Sequence, residues 1–367
     1  VLSPVLAVVA LLQTAQASPA TRSPGTPDSV DAFVEAEMSR QHIPGLSLAV
    51  VRGGTVVKAK GYGLADVDRR EPVTPETVFK IGSVSKQFLA SGIMLLAQEG
   101  KLSVDDLVSK HLAGTPGTWG GITLRHFLTH TSGVIREGPA FSPVTTRPDS
   151  VVVQSAYGAP LQFPTGSRWQ YCNVCYFALA DIIARTSGVP WDAFFTRRIF
   201  APLGMTSTRT TTHEAIPRAA VGYAWRGEQF VAAQQFVALR PSGAFISSVL
   251  DLAKWDAALY RDDVLTRASR EAMWTPVRLS DGRAHAYGFG WELDSLDGHR
   301  GVSHGGSLPG FRAEMARFPD DSLTVIVLTN GDGAAPAIIA TGVARAYFAE
   351  RNGARPTGAR RPRAPAT

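Results

Sequence analysis

Apolar residues at Val30, Phe33, Val34 and Met38 repeat at i, i+3, i+4 and i+8, the spacing of a helix with one buried face. They predict a helix over residues 28–41, closed by Pro44-Gly45. The next two runs, residues 46–51 and 55–60, are separated by Arg52-Gly53-Gly54 and read as a β-hairpin. Helical spacing returns over 83–99, with Gly100 as its stop, and again over 174–186, 191–200 and 249–260. Loops rich in Gly, Pro, Ser and Thr join these helices. Strand patterns reappear late, over 286–293, 301–303, 312–318 and Leu323–Thr329, with turns at Asp297-Gly298 and Pro319-Asp320-Asp321, before a last helix over 337–349. Strands at both chain ends with helices between them imply an α/β (α+β) fold. Its antiparallel sheet is assembled from both ends, flanked by helices, and interrupted by an inserted all-helical subdomain.

Composition narrows the class. The 367 residues are 44% hydrophobic and 19% charged, which excludes a disordered, collagen-like or coiled-coil chain. The formal charge of +6 is misleading as a guide to partners, because Arg351, Arg355, Arg360, Arg361 and Arg363 fall in a final segment without a single acid. The near-neutral remainder has no electrostatic footprint for nucleic acid. Residues 28–350 are therefore expected to form the folded domain and 351–367 a basic disordered tail. At the other end, the apolar run from Val5 to Leu12 is followed by Ala15-Gln16-Ala17, a small-x-small cleavage pattern. Residues 1–17 are expected to be a signal peptide, lacking the usual basic start, for a secreted or periplasmic protein, and 18–27 a Pro-rich linker. Interrupted by Pro4 and ending in polar residues, that stretch falls short of the roughly 20 apolar residues that span a bilayer.

Cys172 and Cys175 are the only cysteines. Two sulfurs without neighbouring histidines do not make a zinc shell, and no thioredoxin-like βαβ pattern surrounds them. They are small buried residues or a local disulfide.

Three short motifs carry candidate chemistry. Ser83-Val84-Ser85-Lys86 opens a predicted helix, and an i, i+3 spacing puts the hydroxyl and the amine on one face. A serine needs a base to become a nucleophile, and a lysine serves only where its pKa is lowered. Of the chain's seven lysines, Lys86 alone has a serine three positions earlier. Tyr171-Cys172-Asn173 adds a phenol, expected to shift toward phenolate beside an ammonium, and an amide able to hold a substrate carbonyl. His304-Gly305-Gly306-Ser307 lies on a predicted strand, where glycines admit close approach and the next N–H can face an oxyanion. Taken singly, each has a plain structural reading: a capping serine, a half-buried tyrosine, a glycine bulge. There is no H-E-x-x-H or G-x-x-x-x-G-K-[ST].

In this order the three motifs resemble the S-x-x-K, Y-x-N and K/H-[TG]-G set of serine β-lactamases and penicillin-binding proteins. The likeness is to the class C branch, which includes D,D-carboxypeptidases, D-aminopeptidases and family VIII esterases. Gly61 to Asp66, Phe127 to Gly133, Pro202 to Met205 and His304 to Phe311 match that branch as well. The resemblance implies Ser83 as nucleophile, with Lys86 and Tyr171 exchanging its proton. It makes Asn173 a substrate-orienting residue and the N–H groups of Ser83 and Ser307 the oxyanion hole, with His304, Gly305 and Gly306 beside the substrate. It implies a β-lactamase-like fold, no cofactor or metal, and a small-molecule or cell-wall peptide substrate. His304-Gly305-Gly306 stands where class C β-lactamases carry Lys-Thr-Gly, so a fixed cation for a substrate carboxylate is missing. This tilts the expectation from β-lactams toward neutral esters and amides. The alternative is a penicillin-binding or cell-wall-binding protein with negligible turnover.

Overall fold

The computed structural model describes residues 29–141, 147–210, 216–234, 241–243 and 245–353. The expected signal segment, the linker and the tail beyond Gly353 lie outside the described residues. Helix α1 (Ser29–Gln41) leads into strands β1 (Gly45–Arg52), β2 (Thr55–Asp66) and the short β3 (Glu71–Pro72). A largely helical region follows, whose main elements are α2 (Lys86–Gln98), α3 (Asn173–Ser187) and α4 (Val249–Ala258). The chain then returns to strands β4 (Glu292–Leu296), β5 (His299–Leu308), β6 (Phe311–Phe318) and β7 (Leu323–Thr329), and to helix α5 (Pro336–Gly353).

These strands form a single antiparallel sheet in the order β4-β5-β6-β7-β1-β2-β3. The two chain ends join where β1 pairs with β7, Leu46 opposite Thr329. Both of these central strands are buried along nearly their whole length, which is why their sequences are mostly apolar on both faces instead of alternating. Val325 and Val327 of β7, with Leu46, Leu48 and Val50 of β1, pack beneath α1 and α5. Ile326, Leu328, Met315 and Ala49 face the helical region on the other side. The expected sheet from both chain ends, with inserted helices, is the observed architecture.

Three local differences have physical causes. The helix expected over 83–99 begins as a 3-10 turn, Gly82–Ser85, before α2 starts at Lys86. The strand expected over 286–293 starts only at Glu292, because Gly290 adopts a left-handed φ of +74° and packs where a Cβ would sit 2.7 Å from the Lys86 carbonyl. The loop so formed buries Tyr287, Phe289 and Trp291. Helix α5 continues through Gly353, three residues into the segment expected to be tail. Cys172 and Cys175 are joined in a local disulfide, with Cys172 capping α3.

The helical region is tied to the sheet by a fully buried ion pair. Arg317 Nε of β6 lies 2.6 Å from Asp256 Oδ1 of α4, and Thr324 Oγ1 donates to the same carboxylate oxygen at 2.7 Å. Removing one partner strands the other charge in a site without solvent. Asp256→Ala is expected to lower the unfolding free energy in urea by about 3–5 kcal/mol. A loss below about 1 kcal/mol, the scale of an exposed pair, would contradict that account.

Candidate active site

The three motifs converge where β5 runs past the end of β4 and meets the 3-10 turn before α2. Ser83, Tyr171, Asn173, His304, Gly305, Gly306 and Ser307 all line one cavity of about 840 Å³. Lys86 stands behind it, wholly buried. Strand and turn touch backbone to backbone. A Cβ on Gly306 would sit 1.9 Å from the Ile81 carbonyl, and one on Gly82, whose φ is +53°, would sit 2.7 Å from the Ser307 nitrogen. Only glycine permits this approach, which sets the Ser307 nitrogen against Gly82 and the Ser83 nitrogen against Gly306.

Lys86 Nζ is 3.2 Å from Ser83 Oγ, 3.1 Å from Asn173 Oδ1 and 2.8 Å from the Ser242 carbonyl oxygen. Burial, reinforced by the Arg136 charge, holds this amine well below the usual lysine range. As an ammonium Lys86 donates to all three oxygens; once it has lost its proton, the Asn173 and Ser242 oxygens can still only accept, so the lone pair is left for the Ser83 hydroxyl. Asn173 is oriented in turn by donating from Nδ2 to Glu137 Oε1 at 2.9 Å.

Tyr171 departs from expectation. Burial pushes its pKa up and outweighs the lowering influence of the Ser83 hydroxyl, so it remains a phenol and not a phenolate. An ammonium beside it would have lowered the value, yet the same burial disfavours the charge on Lys86. Desolvation governs both groups.

His304 is also neutral, its pKa driven down to about 3 chiefly by burial. It ends a chain of hydrogen bonds whose donors and acceptors are fully determined. The Cys172 N–H donates to His130 Nδ1 at 3.1 Å, so His130, kept neutral by burial, carries its proton on Nε2 and donates to the Tyr287 hydroxyl at 3.2 Å. Tyr287 donates to His304 Nε2 at 3.0 Å, and His304 Nδ1 donates to the Gly305 carbonyl at 2.6 Å. This relay connects the residue between Tyr171 and Asn173 to the glycine strand.

Several residues of the site escaped sequence reasoning. His130 lay within a stretch noted only as family-like. Tyr287 was expected on a strand. Ser242 contributes a carbonyl, which has no sequence signature. Arg136, Glu137, Trp169, Glu292 and Glu314 complete much of the cavity wall.

If Lys86 accepts the serine proton, acid must switch the site off. A lowered lysine pKa leaves the amine free above that value and protonates it below. The rate of Ser83 labelling by a fluorophosphonate is expected to fall on acidification through a limb centred well below the free-lysine value of about 10.4. A limb at or above that value would contradict the buried-amine account.

The sequence matches the beta-lactamase family over residues 30–348. It is 33% identical over 306 residues to penicillin-binding protein 4* of Bacillus subtilis (strain 168), an alignment covering 77% of this chain and 67% of that protein. It is 29% identical over 312 residues to protein flp of Staphylococcus aureus (strain COL), covering 82% of this chain and 62% of flp. The chain thus spans less than two thirds of the length of flp. Its structure superposes on the octameric penicillin-binding protein homologue from Pyrococcus abyssi with a TM-score of 0.77 at 30% identity, covering 87% of this chain and 77% of that one. D-amino acid amidase from Ochrobactrum anthropi SV3 shares the fold, with a TM-score of 0.75 at 24% identity over 88% and 98% of the two chains. Matched from its first described helix into its last, the chain belongs to the beta-lactamase family, in the class C-like branch.

Proposed function

We propose that the protein is an exported serine hydrolase that forms an acyl-enzyme on Ser83 and acts on ester or amide bonds of substrates without a carboxylate at the position a β-lactam would place one. The observation that carries this reading is the contact set of Lys86: a buried amine next to the Ser83 hydroxyl, whose two other partners, the Asn173 and Ser242 oxygens, can only accept. In the acylation step Lys86 takes the Ser83 proton as Oγ bonds to the carbonyl carbon, and the oxyanion forms against the N–H groups of Ser83 and Ser307. Tyr171, a neutral phenol lining the same cavity as Ser83, passes a proton to the leaving oxygen or nitrogen and is replenished from the Lys86 ammonium. Water then attacks the ester, and the same groups return the proton to Ser83.

The substrate preference rests on charge. Neutral His304 supplies no fixed cation. Glu137, Glu292 and Glu314 all line the cavity, whereas Arg136 is the single arginine among its described lining residues and lies 3.8 Å from Glu137. A carboxylate held by a fixed charge gains roughly 1.5–3 kcal/mol from a charge-assisted hydrogen bond, and that gain is missing at His304.

A panel of a p-nitrophenyl ester, a D-alanyl p-nitroanilide and a chromogenic cephalosporin tests both parts. The ester or the anilide is expected to exceed the cephalosporin in kcat/KM, and Ser83→Ala to abolish all turnover while leaving the fold intact. Lys86→Ala and Tyr171→Phe are each expected to cost roughly 10² or more in rate. Activity of Ser83→Ala within tenfold of wild type would overturn the nucleophile, and a cephalosporin preference would overturn the substrate class.

A further inference from the structure

Beyond His304 the edge of β5 has no partner from β4, whose pairing with β5 stops at Ser303 opposite Glu292. Successive residues of a strand face opposite sides of the sheet, so the two glycines of this bare edge look in different directions. Gly306 faces Ser83, whose nitrogen lies 3.3 Å from the place of a Cβ. Gly305 faces the other way, onto Glu314, whose Oε2 lies 3.1 Å from its own Cβ position. Without side chains at either residue, the cavity reaches around the strand edge and is lined by Ser83 on one face and Glu314 on the other.

Glu314 is 8% exposed, yet it forms no hydrogen bond through its side chain and no ion pair among the described residues. Glu292 and Asp294 of β4 lie close enough on this side for their charges to be felt, and neither is paired with a cation among the described residues. Burial and these two charges push the Glu314 carboxyl up to about 8. Three acids with nothing opposite them, one almost wholly enclosed, form an arrangement that costs stability unless a cation arrives from outside the chain. Such a carboxyl keeps its proton until a cation replaces the missing partner, and the carboxylate then formed discriminates between a substrate bearing a positive charge and its isostere.

We propose that Glu314, with Glu292 at the rim, is a subsite for a primary ammonium group carried on the acyl part of the substrate. The proposal rests on Ser83 being the nucleophile and adds the chemistry of what it acylates with. Ser83 and Glu314 are separated by one bare strand edge, each within about 3.3 Å of a Cβ position on adjacent glycines, and the ammonium is assigned to a chain about six bonds from the acyl carbon, long enough to pass around that edge. The substrate class is therefore an ω-aminoacyl ester or amide, or a peptide with a lysine-like side chain near the bond that breaks.

Two measurements test this. The first compares kcat/KM for p-nitrophenyl 6-aminohexanoate and p-nitrophenyl heptanoate, which differ by an ammonium in place of a methyl group. Wild type is expected to prefer the amino ester at least tenfold, and the isosteric Glu314→Gln to reduce that ratio at least fivefold. A wild-type ratio near one, or a ratio that Glu314→Gln leaves unchanged within twofold, overturns the subsite while leaving the hydrolase reading standing. The second needs no turnover: calorimetric titration of hexylammonium and of hexanol into the wild-type protein. Hexylammonium is expected to bind at least fivefold more tightly. Equal affinities overturn the subsite even where Glu314→Gln fails to fold or neither ester is hydrolysed.

Discussion

Lys86 has no exposed surface, and the rest of the site depends on that fact. An ammonium taken out of water is costly, so the side chain settles the cost by holding its proton weakly. The sheet and the helical region are what enclose it: Gly290 closes one side through the loop before β4, and Tyr171 and Tyr176 present their rings 4.7 and 5.3 Å from Nζ. The same desolvation keeps Tyr171 a phenol and His304 an imidazole. One physical condition, the exclusion of water, thus pushes three groups toward their neutral forms, which together suit proton transfer from a serine.

The second condition is thinness at the strand edge. Gly82 and Gly306 let backbone meet backbone, which sets Ser307 of the strand against the turn that bears Ser83, and Gly305 leaves the other face open to Glu314. A side chain at Gly306 would drive the strand from the turn. The relay from Cys172 through His130, Tyr287 and His304 to the Gly305 carbonyl holds this edge in register with the segment bearing Tyr171 and Asn173. Positions on three distant parts of the chain are in this way fixed relative to one another by groups that never need to touch substrate.

The pattern of apolar positions revealed the sheet of both chain ends and most of the helices, because β1, β7 and the amphipathic helices each carry their burial in local sequence. The motifs marked Ser83, Lys86, Tyr171, Asn173 and His304 to Ser307 for the same reason: each is a short spacing with a chemical rationale. What stayed hidden is what depends on contacts between remote segments. The loop at Gly290 reads as a strand until Lys86 is seen packed against it. The Ser242 carbonyl is any residue's carbonyl until the lysine reaches it. Glu314 is an ordinary strand residue until its register with Gly305 places it beneath a bare backbone. The phenolate expected at Tyr171 failed because the sequence pairs it with a lysine but does not tell how dry the pair is.

The account stands or falls on a covalent bond at Ser83. Acid quenching of the protein during steady-state turnover of p-nitrophenyl acetate, followed by peptide mass analysis, tests that bond directly. The account predicts one acetyl group on the peptide containing Ser83, and none on the same peptide of Ser83→Ala. Steady turnover with no acetyl group on that peptide, or with the group on another residue, would contradict it.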